Sequence, residues 1–271
     1  MSLIYEPKGK AREYSPLALN IYSGGCDHKC RYCYCRQLSR GNWTDKAKVR
    51  DLSALKKEAA TARKQILLSF ISDPYCQADC EYQKTREALL DLKAAECSVA
   101  ILTKGGTRCL RDIDIFKSWP DGRIKVGATL TFSENVDSEW WESGAALPQN
   151  RIEALSILHE AGIKTWASIE PVIYPLQSLK IIESSLSYVD AYKVGKWNHD
   201  KQGNEIDWEA FGMKAIDIIR KAKKKLYVKK DLQICMPDGY LSVQECDMNI
   251  LNLPEREDKR ALFPNLKIEK A

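Results

Sequence analysis

Three cysteines lie within eight residues of the chain, at Cys26, Cys30 and Cys33, in the segment Cys-Asp-His-Lys-Cys-Arg-Tyr-Cys. Thiolates at this spacing can hold one side of a compact iron–sulfur cluster. A cluster of four irons and four sulfides has four irons to ligate, so three cysteines leave one iron open to a small molecule. The spacing therefore predicts a [4Fe-4S] cluster with an open coordination position.

An open iron of this kind is what a radical enzyme that uses S-adenosylmethionine (SAM) requires. The amino and carboxylate groups of SAM can chelate the iron and bring the C–S bond of the sulfonium near the cluster. The alternative is a zinc knuckle, with His28 or Cys35 as the fourth ligand. Structural zinc sites usually take a second ligand pair from farther along the chain, and Cys76 with Cys80 is only a loose candidate for it. Both interpretations stay open at this point.

The composition is that of one large globular domain. The chain has 271 residues, of which 44% are hydrophobic and 29% are charged, so it can bury a sizeable core. No apolar run approaches the ~20 residues that span a bilayer. Ten cysteines without an export signal favour metal or redox chemistry in a reducing compartment. We therefore expect a cytoplasmic protein with no membrane partner.

The net charge of +5 is unevenly placed, because residues 220–230 hold seven basic residues and no acidic one. Such a run is typical of a solvated helix face, and the alternative is an edge that binds phosphate groups. Lysines alone attract polyanions without reading a base sequence. The run is therefore compatible with a nucleic-acid partner but does not require one.

Apolar segments alternate with helical segments from residue 18 onwards. The predicted strands cover 17–23, 65–72, 98–103, 124–132, 163–170 and 189–194. The predicted helices cover 47–63, 81–95, 149–161 and 208–224. Six β–α units in series predict an α/β fold with a parallel sheet and right-handed crossovers, curled into an open-sided, partial (β/α)6 barrel.

We expect this barrel to span residues 17–228, after an N-terminal segment of residues 1–16. Residues 229–271 contain three prolines and few periodic apolar positions, which predicts a C-terminal extension packed on the barrel. In such folds the chemistry gathers at the carboxyl ends of the strands. The cysteine loop (residues 24–33) follows the first strand there, and most of the other polar motifs end later strands.

Several motifs, in order along the chain, resemble one known family. The segment Tyr22–Tyr34 resembles the cluster loop of radical SAM enzymes, specifically the group related to spore photoproduct lyase. Ser72-Asp-Pro-Tyr75 and Leu102-Thr-Lys104 are similar to the motifs after that group's second and third strands. Further similarities are Arg151, the turn Ala161-Gly-Ile163 and Pro171-Val-Ile173. The resemblance covers residues 17–195 and identifies the chain as a member of the radical SAM superfamily.

The resemblance implies the chemistry of that family. One electron from a reduced [4Fe-4S] cluster breaks the C5′–S bond of SAM, and the resulting 5′-deoxyadenosyl radical removes hydrogen from the substrate. The protein holds the reacting atoms together and excludes water and oxygen. We expect a monomer that receives electrons from a flavodoxin- or ferredoxin-type donor. The favoured substrate is a nucleic acid or a nucleotide derivative. The alternatives are a peptide or small metabolite as substrate, or a non-catalytic metal- or nucleic-acid-binding module.

The resemblance also implies roles for individual residues. Cys26, Cys30 and Cys33 are the cluster ligands. Ser72 and Asp73 end the second strand, where related enzymes hold the amino group of SAM. A plain turn or a helix N-cap is the alternative for both residues.

Further roles fall at the ends of later strands. Lys104 is expected to pair with the carboxylate of SAM, unless it is an exposed lysine with no ligand. Thr129 and Thr131 share a face and lie near SAM, although threonine also favours strands in general. Glu170 bonds the ribose or the substrate, or is an ordinary loop carboxylate. Tyr32 shields the cluster and backs the adenine, or packs as any aromatic residue does.

One departure concerns the return of hydrogen to the product. Spore photoproduct lyase has a cysteine just before its Ser-Asp step for this purpose, whereas Phe70 and Ile71 stand there in this chain. Repair of that photoproduct is therefore in doubt, and Cys76 becomes a candidate hydrogen donor. Tyr32 and Tyr34 match the paired tyrosines that relay hydrogen in the lyase.

A second departure is the surplus of thiols. Cys80 is the alternative hydrogen donor to Cys76. If folding brought these two residues together with Cys235 and Cys246, the four thiols would hold a second cluster or a zinc ion. Otherwise they behave as small buried hydrophobic residues, as we expect for the remaining cysteines, Cys35, Cys97 and Cys109.

Overall fold

One sheet of eight strands organises the protein. The structure, a computed structural model, describes residues 2–39, 41–120, 122–198 and 200–257. The strands are β1 (Ile4–Tyr5), β2 (Leu17–Leu19), β3 (Tyr22–Ser23), β4 (Lys48–Val49), β5 (Ile66–Leu68), β6 (Val99–Thr103), β7 (Ile124–Thr129), β8 (Lys164–Ile169), β9 (Ala191–Val194) and β10 (Lys225–Val228). Their order in the sheet is β1-β2-β5-β6-β7-β8-β9-β10, while β3 pairs with β4 in a separate ribbon. β1 is antiparallel to β2, and the remaining neighbours in the large sheet are parallel.

Helices connect the parallel strands. They are α1 (Tyr34–Leu38), α2 (Leu55–Ala59), α3 (Gln77–Tyr82), α4 (Lys84–Ala94), α5 (Ile113–Lys117), α6 (Asn135–Trp141), α7 (Pro148–Glu160), α8 (Pro175–Ser185), α9 (Trp208–Lys221), α10 (Lys230–Gln233) and α11 (Val243–Cys246). Short 3-10 helices cover Gly9–Glu13, Gly106–Asp112 and Lys201–Glu205. Within the described residues, no helix has the length and apolar character needed to cross a membrane.

The partial barrel predicted from the sequence is confirmed. Six parallel strands, β2 and β5 to β9, lie within the six predicted segments. A seventh parallel strand, β10, then pairs with β9 in the register Lys225↔Ala191 to Val228↔Val194. The sheet therefore has one more parallel strand than the six that we expected.

The additional strand corrects the interpretation of the basic run as a helix face. Helix α9 ends at Lys221, and the next residues turn back into the sheet. Leu226, Tyr227 and Val228 are buried, and Lys229 is only 4% exposed. Three apolar residues in a row favour a buried parallel strand, but the flanking lysines hid this pattern in the sequence.

Three other segments differ from their predictions. The expected helix 47–63 contains β4 and the short α2, and the expected helix 81–95 is preceded by α3 and broken at Gln83, whose φ is 50°. Helix α8 was not predicted at all, although Pro175 at its first turn is a typical start signal. These errors are local and leave the order of the strands unchanged.

The N-terminal segment enters the barrel instead of lying outside it. Glu13 is 4% exposed, and its carboxylate accepts hydrogen bonds from the Tyr227 hydroxyl at 2.5 Å and from Lys230 N at 2.9 Å. The ammonium of Lys193 donates to Glu13 O at 2.6 Å and to Tyr14 O at 3.1 Å. These bonds tie the segment to β9 and β10 and place Tyr14 inside the barrel.

Part of the C-terminal extension packs against the opposite, amino end of the strands. Leu251 is buried with Trp166 and Tyr227 in the apolar cluster inside the barrel. Lys125 of β7 donates to Leu251 O, and Leu253 N donates to the Gln65 side chain at 3.0 Å. Residues 251–253 thus cover the amino end of the barrel, whereas the first residues of the extension, 229–235, lie at the carboxyl ends of the strands beside Glu170 and Lys196. Its last residues, 258–271, lie outside the described part of the chain.

Candidate active site

Close backbone contacts hold the cysteine loop at the mouth of the barrel. A Cβ atom on Gly25 would lie 2.3 Å from both Thr44 O and Lys46 O. On the other side, a Cβ atom on Gly144 would lie 1.8 Å from Asp27 O. Only glycine allows approaches this close. The loop is therefore fixed between the segment that precedes β4 and the segment that follows α6.

The three predicted cluster ligands lie together in this loop. Cys30 is buried, while Cys26 and Cys33 are half-buried. Burial raises the pKa of Cys26, and the charges of Asp73 and Cys30 raise it further. A hydrogen bond from Cys35 is the main cause that lowers the pKa of Cys33 to about 6. The loop thus presents three thiols that influence one another's ionisation.

Lys104, at the end of β6, is not an exposed lysine. Its Nζ atom lies 3.4 Å from Cys30 Sγ and 3.7 Å from a carboxylate oxygen of Glu142, and 5.1 Å from the centre of the Tyr32 ring. Burial acts to lower the pKa of Lys104, but the negative charges of Cys30, Tyr32 and Glu142 raise it well above its usual value. A charged ammonium therefore lies beside the thiols, where a carboxylate ligand would need it.

The sequence analysis missed Glu142, the centre of this network. Its buried carboxylate accepts hydrogen bonds from the Tyr32 hydroxyl and from the Arg151 guanidinium. Arg151 is 1% exposed and also donates to Thr129 O at 3.0 Å and to Ala146 O at 2.8 Å. The only local signal was an acidic residue directly after two tryptophans, too weak to distinguish Glu142 from a surface carboxylate.

Asp73 organises the loops after β5 and β6. One carboxylate oxygen accepts from Tyr75 N at 2.8 Å and from the Thr103 hydroxyl at 2.5 Å, and the other accepts from Lys104 N at 2.7 Å. His28 Nδ1 of the cysteine loop lies 3.5 Å from the second oxygen. The Asp73 carboxylate thus connects the cysteine loop to the segments that follow β5 and β6.

The other small polar candidates also lie near the loop. Ser72, with φ of 61°, donates its hydroxyl to Gly25 O. Thr131 is fully buried, with its hydroxyl 3.5 Å from the hydroxyl of Tyr32. Thr129 is 8% exposed and offers its carbonyl to Arg151. These residues thus contact the cysteine loop directly or lie next to it through Arg151 and Glu142.

Glu170 belongs to a second polar group, which we call the barrel floor: Tyr14, Ser168, Glu170, Lys193 and Lys229. The Tyr14 hydroxyl donates to Glu170 at 2.6 Å and lies 2.9 Å from the Ser168 hydroxyl. Lys229 forms an ion pair with the same carboxylate. Tyr14 and Lys229 were missed because they come from the N-terminal segment and from the basic run, which only the fold brings together.

The remaining predicted residues are spread more widely. Tyr34 is 41% exposed, with its hydroxyl 3.5 Å from Phe70 O. Cys76 is fully buried at the start of α3, whereas Cys80 is exposed on the same helix. Cys235 lies 3.4 Å from Lys196 Nζ. Among the described residues, no group of three or more His, Cys, Asp or Glu side chains is drawn together as around a bound metal ion, and this holds for the three loop cysteines as well as for the surplus ones.

Aromatic side chains line the mouth between the cysteine loop and β9. The ring centres of Tyr32 and Trp141 are 6.3 Å apart, and those of Trp141 and Trp197 are 5.6 Å apart in an edge-to-face arrangement. Tyr174 packs 5.9 Å from Phe132. These contacts give the mouth a wall of flat, apolar surfaces.

The donor set fits an iron–sulfur cluster with a chelating ligand. Three thiols from one loop supply sulfur ligands, and the adjacent Lys104 supplies a positive charge. His28 Nε2 is a buried polar atom that finds no partner among the residues that the structure describes. The fold and the site together define a class: an open parallel barrel with a three-cysteine loop at the carboxyl ends of its strands.

Comparison with known families names this class. Residues 20–189 match the family model of the Radical SAM superfamily, and the chain belongs to that superfamily. The recognition made from the sequence is thereby confirmed, and membership of the family implies an enzyme that uses SAM with an iron–sulfur cluster.

Two relatives share part of this region. Uncharacterized protein MJ0683 of Methanocaldococcus jannaschii is 35% identical over 164 residues, which are 58% of this chain and 61% of that protein. Uncharacterized protein Rv2578c of Mycobacterium tuberculosis is 26% identical over 162 residues, which are 55% of this chain and 47% of that protein. The chain thus spans less than two thirds of either relative.

Solved structures share the fold at low sequence identity. Streptococcus suis SuiB bound to S-adenosylmethionine matches with a TM-score of 0.61 and 13% identity, over 83% of this chain and 53% of that one. A spore photoproduct lyase mutant with bound AdoMet and a dinucleoside spore photoproduct matches with a TM-score of 0.60 and 12% identity, over 79% and 76%. Both support the barrel architecture.

Proposed function

We propose that this protein binds a [4Fe-4S] cluster through Cys26, Cys30 and Cys33 and uses it to cleave SAM reductively. The observation that carries the proposal is the position of the half-buried Lys104 ammonium, 3.4 Å from Cys30 Sγ at the mouth of the barrel. A reduced cluster of this type supplies the single electron that splits SAM. The polypeptide contributes binding, orientation and exclusion of water.

Lys104 and its neighbours act on the methionyl end of SAM. We assign the SAM carboxylate to Lys104, since Glu142 and Cys30 keep this lysine charged in a half-buried place. Ser72 and the backbone beside Asp73 are the groups that meet the SAM amino group. The carboxylate of Asp73 holds this loop in position through its bonds to Thr103 and Lys104 N.

Residues deeper in the mouth face the nucleoside. We assign Thr129 and Thr131 to the wall beside SAM, with Tyr32 behind the adenine. Tyr32 is held in place because its hydroxyl donates to Glu142. Glu170 projects from the end of β8, and we assign it to the ribose or to the substrate.

For the substrate we favour a nucleic acid or a nucleotide derivative. Trp141, half-buried between Tyr32 and Trp197, offers a flat surface that suits the stacking of a base. Lys196 from the end of β9 adds a cation at this edge, 5.0 Å from the centre of the Trp208 ring. The spore photoproduct lyase of similar fold was solved with a dinucleoside, which supports this choice by analogy of fold alone.

A peptide substrate is the second candidate. Leu176 at the start of α8 is 78% exposed and Val136 at the start of α6 is 72% exposed. Exposed apolar side chains of this kind suit a peptide better than a phosphate backbone. SuiB, which has a similar fold, was solved bound to the precursor peptide SuiA.

Cys76 is our candidate donor of a hydrogen atom to the product. Burial, together with the charges of Asp27 and Asp73, raises the pKa of Cys76, so the thiol stays protonated and keeps a hydrogen to give. Tyr32 and Tyr34 are then the candidate relay. When Cys76 donates its hydrogen atom to the product radical, no cysteine is needed at the position of Phe70.

The electron donor that we infer is a flavodoxin- or ferredoxin-type protein, acting on a monomer of this chain. All ten cysteines are free thiols, which fits the reducing cytoplasm where we place the protein. Oxygen would damage both the thiols and an exposed cluster. Purification therefore has to be anaerobic.

The experiment is anaerobic reconstitution followed by three measurements: iron and sulfide content, the electron paramagnetic resonance of the reduced cluster, and 5′-deoxyadenosine release. We expect four irons per chain and a signal that changes on addition of SAM. Release should rise with nucleic-acid pools rather than with peptide pools. Zinc without iron, or a cluster signal that ignores SAM, would overturn the proposal.

A further inference from the structure

Four exposed cations lie on the cysteine loop and on the segment packed against it, and we call them the cluster-loop face: Lys29, Arg31, Lys46 and Lys48. Lys29 and Arg31 project from the loop itself, between the cysteines. Lys46 belongs to the segment whose backbone packs on Gly25. The side chain of Lys48 runs across Gly24, where a Cβ atom would lie 3.2 Å from Lys48 Cδ.

These cations are not neutralised by their surroundings. Within the part of the chain that the structure describes, none of the four takes part in an ion pair. The two acidic residues in segments 24–33 and 41–49, Asp27 and Asp45, already have partners elsewhere. Asp45 pairs with Arg36, and the Asp27 carboxylate accepts from Gln77 N and Ala78 N at the start of α3. The face therefore keeps a positive charge.

An exposed apolar surface lies beside these cations. Trp140 is 59% exposed, and the guanidinium of Arg31 lies 3.8 Å from the centre of its ring. Arg31 Nε also donates to Trp140 O at 2.6 Å, and Arg31 N donates to Trp141 O at 2.8 Å. These two hydrogen bonds hold Arg31 against Trp140 and Trp141. Tryptophan and arginine are both residue types that protein interfaces favour.

We propose that the cluster-loop face is the docking surface for an acidic one-electron carrier protein. The inference rests on the proposed function, because it assumes that the cluster is bound by the cysteines of this loop. The loop would then lie directly against the cluster that its cysteines hold, and its exposed side chains include two of the cations described above, Lys29 and Arg31. Complementary charge steers a carrier to this face and orients it there.

The step itself is the transfer of one electron. The reduced carrier is oxidised by one electron and the cluster is reduced by one electron, with no bond broken and no proton moved. Encounters of this type use small interfaces that release the partner quickly. A small, charged and partly aromatic face meets that need better than a large apolar one.

The test compares two reductants on the reconstituted protein: an acidic plant-type [2Fe-2S] ferredoxin, and photoreduced 5-deazariboflavin, which is small and uncharged. The variant is Lys46→Glu with Lys48→Glu, which reverses two charges without touching the cysteines. The control is Lys117→Glu with Lys221→Glu, a matched pair on the exposed sides of α5 and α9. Rates of cluster bleaching and of 5′-deoxyadenosine release are measured at low and high salt.

We expect the ferredoxin-driven rates of the variant to fall about tenfold at low salt and to approach wild type at high salt. Rates with deazariboflavin, and both rates of the control pair, should match wild type. The neutral variant Lys46→Gln with Lys48→Gln should show a smaller loss. Equal ferredoxin-driven rates in the variant and in the control would overturn the docking proposal.

Direct binding separates this proposal from the proposed function. Ferredoxin binding to the wild-type protein is measured by titration at low salt, and it should weaken in the variant but not in the control. If wild-type protein fails with both reductants, the function is wrong. If deazariboflavin drives the reaction and ferredoxin binds variant and wild type alike, only the docking surface is wrong.

Discussion

Two lysines of the same barrel, Lys104 half-buried and Lys193 fully buried, experience opposite electrostatic surroundings. Lys104, beside the cysteine loop, lies near Cys30 and Glu142, and despite the effect of burial these negative charges raise its pKa well above the usual value. Lys193, in the barrel floor, donates to two neutral carbonyls. Burial together with the nearby Lys125 and Lys229 lowers the pKa of Lys193 well below the usual value.

The comparison shows what keeps a buried lysine charged. Removal from water always disfavours the ammonium, so only a negative partner at short distance preserves it. Beside the cysteine loop, Cys30 and Glu142 are such partners, so a charged Lys104 is available to bind a carboxylate ligand. In the floor, neutral carbonyls satisfy the amine, which suits a scaffold that holds Tyr14 in place. The first region should therefore control SAM chemistry, and the second should control stability and substrate position.

The largest contrast is expected for the cluster ligand. We predict that Cys30→Ala abolishes SAM cleavage while the barrel remains folded, because one of three sulfur ligands is lost. By comparison, Lys193→Met in the floor should leave substrate-independent SAM cleavage measurable. The measurements are iron content, 5′-deoxyadenosine release and far-UV circular dichroism. Cys80→Ala, at an exposed thiol on α3, is the control and should behave as wild type. Retained cleavage in Cys30→Ala would contradict the ligand assignment.

The next effect in size concerns the carboxylate that keeps Lys104 charged. Glu142→Gln leaves the Arg151 and Lys104 charges buried without their partner. Breaking a buried pair in this way costs about 3–5 kcal/mol of unfolding free energy. Affinity for SAM should change as well, since Lys104 loses a fixed neighbour. Urea unfolding under anaerobic conditions gives the stability, and a SAM titration gives the affinity.

The matched control is Glu134→Gln, which removes a carboxylate from the exposed pair with Lys180. Surface pairs contribute little because water screens them, so this variant should unfold close to wild type. If both variants lose the same stability, the network around Glu142 is no more important than a surface pair, and the contrast between the two regions fails.

The two regions also differ in how far the sequence predicts them. Cys26, Cys30, Cys33, Ser72 and Lys104 lie in short local motifs at strand ends, so spacing and resemblance found them. The floor draws Tyr14 from the N-terminal segment and Lys229 from the basic run, and no local pattern joins them to Glu170. Strand β10 was missed because lysines on both sides masked three buried apolar residues. Glu142 was missed because burial, which gives it meaning, is a property of the folded chain.

A third prediction uses the pH dependence of stability. Burial lowers the pKa of Lys125 on β7 to about 7, whereas the pKa of a lysine in the unfolded chain is ~10.4. Between these values the unfolded chain binds more protons than the folded one, so stability rises with pH across this window, by at most about 1.4 kcal/mol per pH unit from this group. Lys125→Met should flatten the rise, as measured by urea unfolding from pH 7 to pH 10. The matched variant Lys117→Met, at an exposed position of α5, should keep the wild-type slope. An unchanged slope in Lys125→Met would mean that this lysine stays charged, as Lys104 does.

The smallest effect is expected at the centre of the floor. Tyr14→Phe removes the hydroxyl that donates to Glu170 at 2.6 Å and meets Ser168 at 2.9 Å. Glu170 retains its ion pair with Lys229 and the amide of Asn198, so no buried charge is stranded and the loss should be about 1 kcal/mol. Tyr188→Phe, which removes a hydroxyl bonded to Ser184 O on the outer side of the fold, is the control for the loss of one such bond. SAM cleavage without substrate should be unchanged in Tyr14→Phe, because the floor does not bind the methionyl end. Loss of that cleavage would place Tyr14 with the cluster-side residues and remove the distinction between the two regions.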